Sequence, residues 1–150
     1  MKDDRMITLR KHTPRDVPAL MKLYPDLDEA AAQALVEEWN AEQYRGNPFL
    51  MLAVTEDNEL IGYVNLLAKT AQEVHIGLEI YSPYRGKGFG TLALQKALML
   101  AHEMGYHKAI DLVRKENAAS LRIHEKLGFA IVGEQQGKNA SIQLVLCRML

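Results

Sequence analysis

The segment SPYRGKGFGTLALQKAL, residues 82–98, decides how the rest of the chain is read. Gly86, Gly88 and Gly90 stand at alternate positions between Arg85 and a long apolar run. Glycine at the start of a helix costs backbone entropy relative to alanine. A loop that must turn bare N–H groups toward a ligand justifies that cost. N–H groups at a helix N-terminus, together with the helix dipole, form an anion site. Arg85 and Lys87 add charge suited to phosphates. A strand ending at Tyr81, then the glycine loop, then a helix has this layout.

Two phosphate-binding motifs come close to the pattern. A Walker loop needs G-x-x-x-x-G-K-[ST], but Gly86-Lys87 is followed by Gly88 and residue 81 is Tyr81. The dinucleotide fingerprint G-x-G-x-x-A is met by Gly88, Gly90 and Ala93, with Asp111 at a suitable distance. Against it, Pro83 and further residues intervene before Gly88, and two hairpin-like units precede the motif where parallel units should follow it.

Outward from the loop, the order of elements is mixed. A strand is expected at 6–11 and a helix at 13–24, with Thr13 as N-cap and Pro14 in the first helical position. A second helix is expected over 26–44, with Ala31, Leu35 and Trp39 at near-helical spacing. Strands follow at 49–54 and 59–68, joined by a turn of hairpin chemistry at 55–58. EVHIGLEIY (73–81) alternates, with Val74, Ile76, Leu78 and Ile80 on one face and His75, Glu79 and Tyr81 on the other. After the loop come a helix to about Met104, a strand at 107–113, a helix at 117–127 and strands at 128–134 and 141–149. Asn117 is a good N-cap, and Gly128 with Phe129 can close that last helix in a left-handed turn. Hairpins with one strand–helix–strand crossover predict a mixed α/β sheet of about seven strands with four helices.

The chain has 150 residues, 48% apolar and 25% charged, with a net charge of −1. That is the composition of one soluble globular domain, expected to span 1–150 and to act in the cytoplasm. The near-neutral balance argues against a nucleic-acid partner. No run approaches the roughly 18 apolar residues of a membrane helix, and the N-terminus lacks a signal-peptide shape. The single cysteine, Cys147, fits a reducing compartment and reads as a packed strand residue. His102 and Glu103 lack the spacing of a zinc motif, so no metal is expected.

RGKGFG (85–90) matches the R-x-x-G-x-G signature of the GNAT acetyltransferase superfamily, which binds the pyrophosphate of acetyl-coenzyme A. NAASLRIHEKLGF (117–129) resembles that superfamily's second motif, in which Asn opens a helix and EKLGF closes it. The resemblance runs from residue 6 to the end, and the element order agrees. It implies acetyl-CoA as cosubstrate, an amine acceptor (small molecule or peptide N-terminus), and room for a homodimer. It implies a pantetheine arm lying where the strand before the loop splays from the next parallel strand, held by backbone near Leu78, Ile80 and Tyr81. Arg85, Gly86, Lys87, Gly88, Phe89, Gly90 and Thr91 would hold the pyrophosphate, with Asn117 and Ser120 contributing from the second motif.

Direct transfer needs a neutral amine, so a base must take its proton, and a preorganised donor for the oxyanion. By resemblance Glu79 stands where many members keep that base, with His75 and Tyr81 as reserves on the same face. Where members commonly carry Tyr as the acid for the leaving sulfur, this chain has His124. Three roles stay open for it: donating a proton or hydrogen bond, packing on the cofactor, or none, the thiolate leaving unprotonated. The acids Asp26, Asp28, Glu29, Glu37, Glu38 and Glu42 are either a solvated helix face or a wall favouring a cationic acceptor. A catalytically weak coenzyme A-binding sensor is the alternative function, and an NAD-dependent oxidoreductase a third.

Overall fold

The computed structural model describes residues 6–150. Its backbone is a mixed sheet with helices on both faces. β1 (Ile7–Lys11) leads through a short 3-10 turn at Pro14–Asp16 into α1 (Val17–Leu23) and α2 (Glu29–Trp39). The strands β2 (Gln43–Tyr44), β3 (Asn47–Glu56), β4 (Glu59–Ala68) and β5 (Glu73–Ile80) follow. The chain continues with α3 (Phe89–Glu103), β6 (Lys108–Arg114), α4 (Ala118–Lys126), β7 (Ala130–Gln136) and β8 (Ile142–Met149). Eight strands, one more than the sequence reading, and four α-helices are present among the described residues.

The sheet order is β1-β3-β4-β5-β6-β8-β7, with β2 pairing β3 at one end. All neighbours are antiparallel except β5 and β6, which are joined by α3 as the crossover. That parallel pair is short: Glu73, Val74 and His75 face Lys108, Ala109 and Ile110, and pairing then ends. Beyond it β5 stays in register with β4 as far as Gly62–Ile80, while β6 stays with β8 as far as Arg114–Gln143. The two strands therefore diverge and open the sheet into a V.

Each face carries its own core. Val74, Ile76, Ala109 and Val113 from the sheet pack with Phe89, Leu94, Ala97 and Leu98 of α3. On the opposite face Val17, Leu20, Ala32 and Val36 cover Ala53, Leu60 and Tyr81. The β3–β4 hairpin closes on Asp57 and Asn58, both at positive φ (47° and 67°), as a two-residue turn of this kind demands.

The second helix is shorter than its sequence pattern suggested. Asp28 accepts the Ala31 N–H at 2.8 Å as its N-cap, and the helix stops at Trp39. Glu42 and Arg45 take φ of 59° and 50°, incompatible with a right-handed helix, so the chain turns into β2 instead.

Asp16 organises the entry into α1. Both its oxygens accept from Arg10 at 2.8 Å, and Oδ2 also accepts the Thr13 N–H at 2.8 Å. Burial pushes the Asp16 carboxyl up, but the hydrogen bonds from Arg10 and Thr13 outweigh it and the net displacement is downward. A lowered carboxyl stabilises the fold above its unfolded pKa of about 3.9 and loses that contribution as pH falls through the folded value. Asp16→Ala removes both the Arg10 pair and the bond to the Thr13 N–H and is expected to cost about 1–2 kcal/mol in urea unfolding at pH 7, with the gap to wild type closing in acid.

Candidate active site

The V between β5 and β6 leads into a cleft of about 790 Å³ walled by β5, the glycine loop and α4. Leu78, Glu79 and Ile80 line it from β5; Arg85, Gly86, Gly88, Phe89, Gly90 and Thr91 line it from the loop and the start of α3. Asn117, Ser120 and His124 complete the far wall. Of the other expected residues, Lys87 is exposed in the loop between the lining Gly86 and Gly88, and the Tyr81 side chain is buried behind the strand.

The glycines have separate reasons. Gly86 (φ 77°) and Gly88 (φ 83°) are left-handed, and Gly88 is the N-cap residue of α3; a side chain there costs roughly 1–2 kcal/mol. Gly90 is a close approach: a Cβ would stand 3.2 Å from Cδ1 of Ile123, so a side chain there would push on α4.

Charge in the cleft is mainly positive. Arg85 is oriented by donating from Nε to the Ile80 carbonyl at 2.7 Å. Arg122 and Lys126 project from the cleft face of α4 together with Ala119 and Ile123. Three cations, a helix N-terminus and a glycine approach fit the diphosphate of a nucleotide-like cosubstrate.

Glu79 is the exception among these charges. Its Oε2 accepts from the Tyr63 hydroxyl at 2.8 Å, and its Oε1 lies 3.5 Å from Arg85. Burial, then the Glu79 hydrogen bond, push the Tyr63 hydroxyl up, so it stays protonated and donating. Tyr81 accepts from Tyr24 at 3.3 Å and stacks edge-on against Tyr63; its side chain belongs to the core beneath α1 and α2.

His124 is 2% exposed. Its Nδ1 donates to the Ser120 carbonyl at 2.8 Å, and its Nε2 lies 2.6 Å from Oδ2 of Asp111. Burial pulls the imidazole pKa down, but the bond and charge of Asp111 outweigh it and the net displacement is upward. Burial raises the Asp111 carboxyl. Both directions keep one proton between Nε2 and Oδ2, so neither ring nitrogen is free toward the cleft.

The sequence reading missed Tyr63, Arg122 and Lys126, and weighed Asp111 only as part of a dinucleotide fingerprint. Arg122 and Lys126 share the i, i+3, i+4, i+7 face with Ala119 and Ile123, a spacing that could have found them. Tyr63 carries no local signal; it meets Glu79 through the β4–β5 register. His75 faces a different cavity. The six early acids are exposed, and none lines the cleft. No group of three His, Cys, Asp or Glu among the described residues is placed to hold a metal ion, and no helix among them is long and apolar enough to cross a membrane.

Residues 6–130 match the acetyltransferase (GNAT) domain family. The chain belongs to the GNAT acetyltransferase family. It is 29% identical over 142 residues to the SPbeta prophage-derived uncharacterized N-acetyltransferase YokL of Bacillus subtilis, covering 85% of this chain and 78% of the relative. It is 29% identical over 137 residues to the L-methionine sulfoximine/L-methionine sulfone acetyltransferase of Pseudomonas paraeruginosa, covering 79% and 77%. In fold, this GNAT chain resembles Mycobacterium smegmatis RimJ in complex with CoA-disulfide, with a TM-score of 0.83 at 20% identity over 95% of this chain and 81% of that one.

Gly88→Glu puts a side chain on left-handed backbone and a negative charge against the anion site. Coenzyme A affinity measured by calorimetry is expected to fall more than about tenfold, and Gly88→Ala to fall less. Wild-type affinity in the Glu variant would contradict the loop assignment.

Proposed function

We propose that this protein is an acetyl-CoA-dependent N-acetyltransferase, residues 1–150 acting as one domain, that moves the acetyl group directly to a primary amine of a small molecule or a peptide N-terminus. One observation carries the reading: a glycine-and-cation anion site and a hydrogen-bonded carboxylate, Glu79, share one cleft at the point where β5 leaves β6. The acetyltransferase names of its relatives favour turnover over a coenzyme A sensor. The lone cysteine, Cys147, fits action in the cytoplasm.

Bound acetyl-CoA supplies a thioester carbonyl to the incoming amine. Gly86, Gly88 and Gly90 present backbone to its diphosphate, with Arg85, Arg122 and Lys126 balancing the charge. The β5 edge past His75, released from β6, offers N–H and C=O groups to the extended arm and to the developing oxyanion. Glu79 takes the proton of the protonated amine, directly or through water. The Tyr63 hydroxyl and Arg85 hold that carboxylate in place.

His124 serves in this reading as an anchor, and the thiolate leaves without its help. The Asp111–His124–Ser120 chain ties β6 to α4 and so sets the width of the cleft. With a thiol pKa near about 8.5, a leaving sulfur needs less protonation than an alkoxide would.

The pH–rate profile of acetyl transfer tests both roles. Below its own pKa the acceptor is mostly protonated, so losing the base costs most there. Glu79→Gln is expected to lower kcat/KM by about a hundredfold at low pH, with the deficit shrinking as pH rises. A profile unchanged in height and shape removes Glu79 from the mechanism. His124→Gln is expected to raise the KM for acetyl-CoA while keeping the alkaline limb; loss of that limb would make His124 the acid.

A further inference from the structure

A second cavity, of about 340 Å³, opens on the sheet face away from α3. Three consecutive rows of that face run toward it. Glu79 pairs with Tyr63, Gly77 with Asn65, and His75 with Leu67, which pairs in turn with Phe49. Same-face rows on a strand are about 6.8 Å apart. The cavity therefore begins one row from the Glu79 carboxylate.

Gly77 stands between them, and the Asn65 amide covers it. A Cβ there would stand 2.6 Å from Oδ1 of Asn65, so the Asn65 amide lies across bare backbone. From the other side of the V, Ile110, in the last parallel pair, and Leu112, just past it, close the cavity. Tyr44, its ring 5.7 Å from that of Phe49, forms the lip.

The wall chemistry selects an occupant. Phe49, Leu67, Ile110 and Leu112 are apolar. Asp111 is the carboxylate among the lining residues, and it is engaged by His124 and by the Leu112 N–H at 2.8 Å. His75 is lowered by burial first and by Lys69 second, so it is neutral at pH 7; Glu73, 3.7 Å from its Nε2, and Asp111 oppose that shift. No lining group is left to balance a cation. Asn65 and His75 remain as neutral hydrogen-bonding groups. The volume lies at the small end of the roughly 300–1,000 Å³ of small-molecule sites.

We propose that this cavity is the acceptor's side-chain pocket, and that the acceptor is an amino-acid-like amine with a compact, uncharged side chain. Its stem passes the Asn65 amide and lies against Phe49, Leu67 and Leu112, and its polar tip bonds to His75. The amino group then points along the Gly77 row toward Glu79. This assignment rests on the acetyltransferase reading and narrows it: polyamines and aminoglycosides are excluded as preferred acceptors.

The test is initial-rate kinetics at saturating acetyl-CoA with methionine, methionine sulfone, glutamine and leucine against lysine, spermidine and kanamycin. The neutral group is expected to exceed the cationic group in kcat/KM by about tenfold or more. Leu67→Trp fills the pocket and is expected to raise the KM for the best neutral acceptor about tenfold, leaving the KM for acetyl-CoA within about twofold. His75→Leu is expected to swing the glutamine-to-leucine ratio about tenfold toward leucine, a change that loss of folded protein cannot mimic. Preference for cationic amines, or an unmoved ratio in His75→Leu, overturns the pocket and leaves the acetyltransferase reading standing. No transfer to any amine, in protein shown to bind coenzyme A, overturns both.

Discussion

The site depends on three rows of parallel pairing between β5 and β6. Both strands continue well past His75 and Ile110, but each is held by its outer antiparallel neighbour. β5 follows β4 to Ile80, where Gly62 allows the closest approach: a Cβ there would lie 2.2 Å from the Glu79 carbonyl. β6 follows β8 to Arg114. Neither strand can swing back without breaking a longer ladder than the one it would gain. The exposed inner edges must then find other partners, because unpaired backbone groups away from water are costly. An extended ligand arm satisfies that demand.

The rest of the site is arranged around this opening. α3 begins at the mouth of the V and brings Gly86, Gly88 and Gly90 with it, while α4 roofs the far side with Arg122 and Lys126. The Asp111–His124–Ser120 chain fixes that roof to β6 from within. A tyrosine in place of His124 would have one hydroxyl to offer. The imidazole has two nitrogens, and the fold uses both internally. On the opposite face Tyr63 holds Glu79, and the tyrosines Tyr24 and Tyr81 back it from the second core.

Much of this was legible in the sequence where the signal was local. The loop at 85–90, the Asn117 cap, the Gly128 closure and the strand at 59–68 each announce themselves in a few adjacent residues. The alternation of EVHIGLEIY placed Glu79 opposite the α3 core. It could not show that α1 and α2 cover the same face two residues later and bury Tyr81. Ala, Leu and Glu made residues 26–44 read as one helix, yet positive φ at Glu42 and Arg45 ended it early. Partners set by register or by packing across elements stayed hidden: Tyr63 to Glu79, and Asp111 to His124. The second cavity was hidden too, since it exists only because Gly77, Asn65 and Ile110 come from three different strands.

In the proposed function, the diverging edge of β5 and the glycine loop hold the cosubstrate. Amide hydrogen exchange, resolved by residue, with and without coenzyme A, tests it most directly. New protection is expected at Leu78–Ile80, at Gly86–Thr91 and at the start of α4, with β1 and β3 unchanged. Tight binding that leaves Leu78–Ile80 and Gly86–Thr91 exchanging as before would contradict it.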